Sequence, residues 1–348
     1  MPSSPGYSNV FRLIATPELH ASGTIISTVA SAGAVITGLD VVDPGHHSVV
    51  LDLSCTTLDS GHVELVRNKL NQLNGCSVEK VSDSTFLIHL GGKITMDLKV
   101  PLRNRTDLAR AYTPGVARVC MAIHENPADA RNLTIKRNSV AVVTDGSAVL
   151  GLGHIGPKAA MPVMEGKAAL FKKFGGVDAW PICLDTTDTD EIVRAVELIS
   201  PGFGGVNLED ISAPRCFEIE RRLRESLDIP VFHDDQHGTA VVVLAALHNA
   251  LRLVEKDTSD IRVVMMGAGA AGVAVARLLM ESGVQDIIIF DSKGPLYPSR
   301  DRMDAERTAL AAITNPRKHA GSVTEALEGA DVFIGLSQPN VITGKDVQ

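Results

Sequence analysis

Apolar and polar residues at the start of the chain alternate with two periods, one typical of helices and one typical of strands. Two amphipathic helices are predicted, from Pro17 to about Ala32 and from Asp59 to Leu73. Strands are predicted at residues 10–14, 34–42 and 48–54, and one or two more lie within residues 76–90. This β-α-β-β-α-β order predicts a ferredoxin-like α+β domain over residues 8–90.

Beyond residue 138, short apolar strands alternate with helices, which is typical of α/β domains. The strands are predicted at residues 138–144, 178–184, 203–208, 261–266, 286–290 and 331–335, with a shorter strand ending at Phe232. Helices are predicted at residues 160–174, 190–199, 240–254, 271–281 and 322–327. We divide this region, with the linker that precedes it, into an α/β catalytic domain over residues 91–238 and a Rossmann-type doubly wound domain over residues 239–348.

A G-x-G-x-x-G motif at residues 267–272 stands between a predicted strand and a predicted helix. Gly267, Gly269 and Gly272 would let the backbone approach a pyrophosphate at the helix N-terminus. The next strand ends in Asp291, at the distance along the chain where an acidic residue bonds the adenosine ribose. Together these features predict that the domain binds NAD or NADP.

The residues around this motif bear on which coenzyme is bound. Asp291 would repel the 2′-phosphate of NADP, which favours NAD. Ser292 and Lys293 could solvate that phosphate, so NADP stays open. Thr239 is predicted to cap the helix 240–254, and we include it among the coenzyme-binding residues.

An earlier G-x-G-x-x-G motif, at residues 151–156, lacks the same context. Pro157 and Pro162 are expected to interrupt the helix that should follow it. The next strand ends at Asp185, too late in the chain for a ribose-binding acid. We therefore interpret this loop as part of a substrate pocket.

Three carboxylates follow predicted strand ends, where packing gives no reason for acidic residues. Glu209 and Asp210 come directly after strand 203–208, and Asp235 follows the strand that ends at Phe232. Their oxygens could bind a hard cation, Mg²⁺ or Mn²⁺, and leave coordination positions for substrate oxygens.

Two alternatives to this metal site stay open. The acidic residues could form a solvated loop without a ligand. A zinc site could instead use His233 and His237, but both are expected in a loop, and no further His or Cys follows at motif spacing.

Two other side chains are suited to acid–base chemistry. Lys167 lies in an apolar part of helix 160–174, where burial would lower its pKa towards that of a usable base. The alternative is a lysine whose ammonium group reaches the helix surface. Tyr112 ends a short helical segment before Thr113-Pro114-Gly115, which leaves its phenol at the end of an element; a packing role with a hydrogen-bonded hydroxyl is the alternative.

The composition is that of a globular protein of two or three domains and limits the partners. The chain has 348 residues, of which 45% are hydrophobic, and a formal charge of −8. An acidic chain without Lys/Arg-rich runs is not expected to bind nucleic acid. Five scattered cysteines without a CxxC pair suggest free thiols, and no signal peptide or membrane-spanning stretch is evident, so we expect a soluble cytoplasmic protein that does not bind membranes.

Seven segments, in order along the chain, resemble the malic enzymes of the shorter prokaryotic type. They begin at Tyr112, Val142, Gly151, Met164, Asn207, His233 and Gly267 and read YTPGVA, VVTDG, GLGHIG, MEGKA, NLED, HDDQHGT and GAGAAG. The resemblance implies oxidative decarboxylation of (S)-malate to pyruvate and CO₂ with reduction of NAD(P), a requirement for Mg²⁺ or Mn²⁺, and a homodimer or larger homo-oligomer.

The resemblance also implies residue roles. By motif position, Lys167 would be the general base and Tyr112 the general acid. Glu209, Asp210 and Asp235 would be the metal ligands. These roles agree with the chemistry expected of the same side chains from their positions in the chain.

The N-terminal domain resembles an ACT domain, a regulatory module that commonly binds small ligands such as amino acids. Gly23-Thr24 in the first predicted helix is weak support for this resemblance. We therefore expect a small-molecule effector at this domain, with a purely structural or dimerising role as the alternative.

Two features depart from the malic enzyme pattern. Family members continue past the position of Gln348, so we expect the Rossmann-type domain to be truncated at its C-terminal end. Ala148 stands where animal-type members have a substrate-binding arginine. Ser147 and Lys158 are then the candidates for holding the distal carboxylate of malate.

Two other functions stay open at this point. An ACT-regulated hydroxy-acid or amino-acid dehydrogenase would need no metal at the three carboxylates and would release no CO₂. A catalytically silent protein would bind an effector and use its dehydrogenase half only to dimerise. Metal-dependent CO₂ release distinguishes the first from a malic enzyme, and any turnover excludes the second.

Overall fold

The computed structural model describes residues 7–21 and 23–347, and the chain divides into two compact units between residues 95 and 96. The predicted domain boundary between residues 90 and 91 lies close to this division. The second predicted boundary, between residues 238 and 239, lies inside a helix of the second unit. The boundary between residues 238 and 239 therefore stays a prediction, because the two compact units do not divide there.

The first unit contains four strands and four helices within its described residues. The strands are β1 (Ser8–Ala15), β2 (Val35–Asp43), β3 (Val49–Thr56) and β4 (Cys76–Asp83). The helices are α1 (Pro17–Ala21), α2 (Thr24–Ser31), α3 (Ser60–Asn71) and α4 (Ser84–His89). The sheet has the order β2-β3-β1-β4 with antiparallel neighbours throughout, which confirms the predicted ferredoxin-like α+β architecture.

The core of this unit lies between one face of the sheet and two helices. Alternate residues of β1 and β3 are buried, among them Phe11, Leu13 and Leu53. Val29 of α2 and Leu70 of α3 belong to the same core. The period-two pattern of the strands therefore sets which face of the sheet the helices cover.

Two predictions for this unit are wrong in detail. The predicted helix 17–32 is divided into α1 and α2 at Gly23, whose φ of 68° is left-handed and unsuited to a continuous helix. Residues 84–89 form helix α4 instead of a strand, because the Asp83 side chain caps its first turn.

The second unit contains the remaining helices and strands. The strands are β5 (Ser139–Thr144), β6 (Asp178–Cys183), β7 (Gly205–Leu208), β8 (Val231–His233), β9 (Arg262–Met266), β10 (Asp286–Asp291), β11 (Gly294–Pro295) and β12 (Val332–Gly335). The helices are α5 (Arg105–Ala111), α6 (Val116–Glu125), α7 (Ala130–Leu133), α8 (Pro157–Leu170), α9 (Thr189–Ile199), α10 (Arg215–Ser226), α11 (Asp234–Val254), α12 (Ala270–Glu281), α13 (Ala305–Ile313), α14 (Val323–Leu327) and α15 (Gly344–Val347).

These strands form two sheets in the second unit. The first has the order β6-β5-β7-β8 and is parallel throughout. The second has the order β11-β10-β9-β12, in which β11 alone is antiparallel to its neighbour. The parallel β9-α12-β10 unit beside β12 confirms the predicted Rossmann-type arrangement. Since parallel strands end at the same edge of a sheet, the segments that follow β7 and β8 lie side by side.

Two predictions for the helices of this unit are wrong. Helix α8 begins at Pro157, where no N–H donor is needed, and continues through Pro162, so the prolines do not interrupt it. Helix α11 begins at Asp234, so Thr239 is not its cap and the histidine segment is not a loop. Asp234 and Asp235 stabilise this early start because they lie at the positive end of the helix dipole.

Helix α11 is long and apolar enough to cross a membrane by length and composition alone, with a mean hydropathy of 1.3 over an 18-residue window. However, its first turn carries two acidic residues, and Ala240, Leu247 and Leu251 are buried in the same core as residues of α12. An apolar stripe that packs on a neighbouring helix is typical of a helix inside a folded domain. We interpret α11 in that way.

Helices α6 and α7 lie in a segment for which the sequence predicts no element. None of the residues of α5, α6 and α7 is buried. Large apolar side chains of the surrounding segment are exposed, including Met96, Leu98, Leu108 and Met121. An exposed apolar surface of this kind is a common feature of protein interfaces.

Candidate active site

Three carboxylates meet where β7 and β8 end. Glu209 and Asp210 directly follow β7, and Asp235 lies in the first turn of α11. One oxygen of each side chain lies within 4.8 Å of the others. The backbone N–H of Asp210 donates to Asp235 Oδ2 at 2.9 Å, and Asp210 adopts a left-handed φ of 54°. The predicted convergence of these three residues is therefore present in the structure.

Burial makes this group of carboxylates electrostatically unfavourable without a cation. Glu209 and Asp210 are only 5% and 3% exposed. Burial raises the pKa of Glu209 to about 7, and the positive charge of Lys167 offsets only part of this effect. Burial and the neighbouring charge of Asp235 raise the pKa of Asp210 to about 6. Buried acids with so little compensating charge are typical of functional sites.

The donor set fits a hard divalent cation. Asp210 Oδ2 is buried and has no hydrogen-bond partner among residues 7–21 and 23–347, so it is a free acceptor within the cluster. Three carboxylate oxygens are the kind of ligand that Mg²⁺ and Mn²⁺ prefer. Glu209 is held in place by Asn207, whose side-chain N–H donates to Glu209 Oε2 at 2.7 Å.

The zinc alternative is not supported by the positions of the histidines. His237 Nε2 lies 2.7 Å from Glu220 Oε1, away from the carboxylate cluster. His233 is fully buried, and its Nε2 lies 3.6 Å from Asp235 Oδ2. The group of residues in the described chain that could hold a metal contains carboxylates alone. His233 makes no hydrogen bond through either ring nitrogen within the described residues and does not belong to the group of ligand oxygens.

Lys167 contacts this cluster from helix α8. Its Nζ lies 3.1 Å from Glu209 Oε1 and donates to Asp234 Oδ2 at 2.7 Å. The expectation that the pKa of Lys167 is lowered is wrong, because the pKa is raised overall. Burial does act to lower it, but the hydrogen bond to Asp234 and the charges of Glu209 and Asp234 outweigh burial and raise the pKa of Lys167. In the described state Lys167 is an ammonium group held by two acids.

Asp234 is a site residue that the sequence analysis missed. Its carboxylate bonds Lys167, and a Cβ on Gly238 would lie 2.5 Å from Asp234 Oδ1. Glycine at position 238 therefore leaves room for this carboxylate on the helix surface. The available signal was the pair Asp234-Asp235 in one segment, of which only the second was considered.

Tyr112 is not joined to the other predicted catalytic residues. It follows α5, is 68% exposed, and its backbone N–H donates to Leu108 O at 2.8 Å. Its phenol makes no hydrogen bond to any residue that the structure describes. The role of Tyr112 therefore rests on its motif position alone.

Arg215 orders the loop that supports Asp210, and it too was missed. Its Nη2 lies 2.8 Å from the buried Asp145 Oδ2 and donates to Ser147 Oγ at 2.9 Å. The next residue, Ala148, donates its backbone N–H to Asp210 O at 2.9 Å. Ser147 Oγ accepts both of its hydrogen bonds, from Arg215 and from the backbone N–H of Ser212, so its O–H is still available as a donor. Ser147 and the exposed Lys158 therefore both stay candidates for the distal carboxylate of malate.

The glycine motif has the shape expected of a pyrophosphate-binding loop. Gly267 has a φ of 124°, and a Cβ on Gly272 would lie 1.9 Å from Gly267 O, so both positions require glycine. A Cβ on Gly269 would meet nothing within 4 Å, which leaves open space over the loop. The N-terminus of α12 has no side-chain cap, so its N–H groups are available to a phosphate. These residues fit a dinucleotide.

The acidic residue that ends β10 is paired with an arginine that sequence reasoning did not identify. Arg300 Nη1 donates to Asp291 Oδ1 at 2.8 Å, and its Nη2 bonds the second carboxylate oxygen. Both side chains are 9% exposed. Thr239, the remaining predicted coenzyme residue, lies in the second turn of α11.

Two family profiles match the chain. The profile described as the malic enzyme N-terminal domain matches residues 91–224. The profile described as the malic enzyme NAD binding domain matches residues 236–347. The matched residues include Lys167, Glu209, Asp210 and the glycine motif, whereas Asp235 lies directly before the second matched range.

Individual relatives give the same result. The chain is 51% identical over 348 residues to the NAD-dependent malic enzyme of Geobacillus stearothermophilus, covering 100% of this chain and 73% of that protein. It is 49% identical over 259 residues to the NADP-dependent malic enzyme of Escherichia coli, covering 74% of this chain and 34% of that protein. The crystal structure of the NAD-dependent malic enzyme from Thermotoga maritima matches with a TM-score of 0.74 and 47% identity, covering 76% of this chain and 71% of that one.

Proposed function

The chain belongs to the malic enzyme family, and from this premise we propose that it oxidatively decarboxylates (S)-malate to pyruvate and CO₂ with reduction of NAD(P). The observation that carries the proposal is the contact of Lys167 with Glu209 and Asp234 at the edge of a buried carboxylate cluster. A base beside a set of oxygen ligands is the arrangement that a hydroxy acid needs in order to lose its hydroxyl proton.

We propose that Glu209, Asp210 and Asp235 hold Mg²⁺ or Mn²⁺. The bound cation would supply Lewis-acid polarisation of the substrate oxygens. The protein's own contribution is to hold the three carboxylates together. Asn207 orients Glu209, and the loop at Ala148 fixes the backbone of Asp210. An ACT-regulated dehydrogenase that released no CO₂ would have no use for this buried cluster.

We propose that Lys167 is the general base and that Asp234 sets its protonation. Lys167 Nζ must lose a proton before it can accept the substrate hydroxyl proton, and Asp234 Oδ2 at 2.7 Å is positioned to share it. Glu209 and Asp234 are the two acids that keep Lys167 protonated, so the charge of the carboxylates beside Lys167 governs how readily Nζ gives up its proton.

We propose NAD(P) at the glycine motif of β9-α12 as the hydride acceptor, with Gly267, Gly269 and Gly272 forming the loop and Asp291 beside the adenosine ribose. Thr239 stays a proposed coenzyme residue without a contact that supports it. Tyr112 is proposed as the general acid that protonates the product carbon, by its motif position. Its exposed phenol leaves the hydroxyl accessible for that step.

We also propose a homodimer or larger homo-oligomer, an effector site in the first unit and a cytoplasmic location. Support for the oligomer is the exposed apolar surface of residues 96–135, in which α5, α6 and α7 bury no residue. Support for the effector site is the ferredoxin-like order of the first unit, which ACT domains share.

The test is a coupled assay of the chain with (S)-malate, Mn²⁺ and either coenzyme, on wild type, Lys167→Ala and Lys173→Ala. Lys173 is an exposed lysine of the segment that follows α8 and serves as the matched control. We expect metal-dependent pyruvate formation by wild type and by the control, with loss of at least 100-fold in Lys167→Ala, the scale of a catalytic base. Coenzyme reduction that continues without metal and yields no pyruvate would overturn the proposal.

A further inference from the structure

The first turn of helix α11 is held by side-chain contacts rather than by a cap. The residue before the helix, His233, makes no side-chain capping hydrogen bond. Gly238 comes directly after this turn, and glycine weakens a helix interior because its backbone is the most flexible. The position of the turn therefore depends on what residues 234–237 contact.

Two contacts of this turn involve groups that have a chemical role of their own. Asp234 Oδ2 accepts from Lys167 Nζ at 2.7 Å, and Asp235 Oδ2 accepts from the backbone N–H of Asp210 at 2.9 Å. In the proposed reaction Lys167 exchanges a proton and Asp235 binds a cation. Neither contact is therefore used for positioning alone.

Glu220 of α10 supplies a third contact, and it does not belong to the carboxylate cluster. Gln236 Nε2 donates to Glu220 Oε2 at 3.2 Å, and His237 Nε2 bonds Glu220 Oε1 at 2.7 Å. Two successive residues of α11 are thus joined to one side chain through both of its oxygens. Glu220 is 6% exposed and Gln236 is 5% exposed, so these bonds lie in a region of low dielectric, where hydrogen bonds are strong.

The burial of Glu220 is not explained by the packing of α10. The other buried residues of this helix, Cys216, Ile219 and Leu223, are apolar. Removal of a carboxyl group from water costs free energy, and an apolar residue at position 220 would pack without that cost. Helix α10 contacts β8, the strand that leads into α11, so what the carboxyl group adds is a fixed position for the start of α11.

We propose that Glu220 is a positioning residue of the metal site. It fixes the first turn of α11 through residues 236 and 237 and so keeps Asp235 beside the two carboxylates that follow β7. Those carboxylates repel Asp235 when no cation is bound, so a contact outside the cluster helps to keep the ligand oxygens within 4.8 Å of one another. This inference rests on the proposed metal site and adds to it a residue that is not a ligand.

The test measures the dissociation constant of Mn²⁺ by isothermal titration calorimetry on the full chain, without malate or coenzyme. Glu220→Ala removes both contacts, whereas Glu220→Gln removes the charge and keeps the shape of the side chain. Glu225→Ala is the matched control, because Glu225 lies on the same helix, is 64% exposed and pairs with Arg221. Binding of 5′-AMP, the part of NAD(P) expected at the glycine motif, is titrated on the same samples, and circular dichroism melts establish that each variant is folded.

We expect Glu220→Ala to weaken Mn²⁺ binding by about 10- to 100-fold, the usual loss when a group that orients a metal ligand is removed. Its affinity for 5′-AMP should stay within about twofold of wild type, as for a distant and independent site. Glu220→Gln should recover most of the Mn²⁺ affinity, because a glutamine side chain can still bond both neighbours once the amide of Gln236 turns over. Glu225→Ala should bind Mn²⁺ as wild type does.

His237→Ala removes one of the two contacts from the other side and keeps the test valid if Glu220→Ala does not fold. This variant should show part of the loss of Mn²⁺ affinity. The double variant with Glu220→Ala should bind Mn²⁺ no more weakly than Glu220→Ala alone, because both changes act through the same contact. Full additivity of the two losses would count against the inference.

Three results would overturn the inference. The first is unchanged Mn²⁺ affinity in Glu220→Ala. The second is an equal loss in Glu220→Gln, which would assign the effect to the charge of Glu220 instead of its contacts. The third is a parallel loss of Mn²⁺ and 5′-AMP binding, which would show a general loss of structure.

Failure of this inference and failure of the proposed function give different results. Unchanged Mn²⁺ affinity in Glu220→Ala, with metal-dependent pyruvate formation by wild type, would reject the role of Glu220 alone. Absence of Mn²⁺ binding by wild type would reject the proposed metal site and the role of Glu220 with it.

Discussion

Replacement of Glu209 by Gln should stabilise the metal-free protein above neutral pH. Burial raises the pKa of Glu209 from 4.5 to about 7, so the folded state resists ionisation of this group. Because the pKa of Glu209 is higher in the folded state than in the unfolded state, the contribution of this group to the free energy of unfolding is fully present below pH 4.5. That contribution is lost as the pH rises through 7. A shift of this size corresponds to about 3 kcal/mol at pH 8, at 1.36 kcal/mol per pKa unit.

Glutamine at position 209 has no charge to desolvate and keeps the shape of the side chain. We therefore expect Glu209→Gln to raise the melting temperature of the metal-free protein at pH 8 by several degrees, since about 1 kcal/mol shifts a domain of this size by roughly 2–4 °C. At pH 5 the two proteins should melt within about 1 °C of each other, the scale of a neutral substitution. Added Mn²⁺ should stabilise wild type and stabilise the variant much less.

The assay is a thermal melt in EDTA or Mn²⁺ at both pH values, followed by circular dichroism. Glu328→Gln is the matched control, because Glu328 is an exposed acid of the same unit with no hydrogen bond or ion pair to any described residue. Equal destabilisation of Glu209→Gln at pH 5 and pH 8 would refute the reasoning. It would mean that Glu209 contributes through its contacts and not through the cost of its buried charge.

Three further substitutions test the positioning of the site. Asp234→Asn should lower the turnover number by about 10- to 100-fold with little change in KM, because the partner of Lys167 loses its ability to take a proton; initial rates with malate against pH measure this. Gly238→Ala should lower turnover by about tenfold while the melting temperature holds or rises, since a Cβ would lie 2.5 Å from Asp234 Oδ1 and alanine favours the helix. Equal losses of activity and stability would count against this reading of Gly238. Gly272→Ala should weaken 5′-AMP binding by about tenfold or more, because its Cβ would lie 1.9 Å from Gly267 O. Unchanged binding in calorimetry would show that the glycine loop is not the nucleotide-binding site.

Much of the architecture could be predicted because it follows from local patterns. Strand and helix order in both units came from apolar periodicity and glycine positions. The convergence of Glu209, Asp210 and Asp235 could also be predicted, since neighbouring parallel strands end at one edge of a sheet. The contact between Lys167 and Asp234 could not, because it depends on how α8 docks beside the start of α11.

The errors have physical causes as well. Residues 234–239 look like a loop because they are polar and contain glycine, yet the acidic first turn suits the helix dipole and Gly238 leaves space for Asp234. The direction of the Lys167 pKa was wrong because its apolar sequence neighbours are visible in the chain and its acidic spatial neighbours are not. Arg300 lies nine residues after Asp291 in a segment without periodicity, so nothing in the sequence joins them.

The stoichiometry of products from (S)-malate tests the central claim most directly. Reduced coenzyme, pyruvate and CO₂ are measured in one reaction with Mn²⁺ and again with the metal chelated. The account predicts that all three appear in equal amounts and that none appears without metal. Reduced coenzyme accompanied by oxaloacetate instead of pyruvate, or turnover that persists in the chelator, would contradict it.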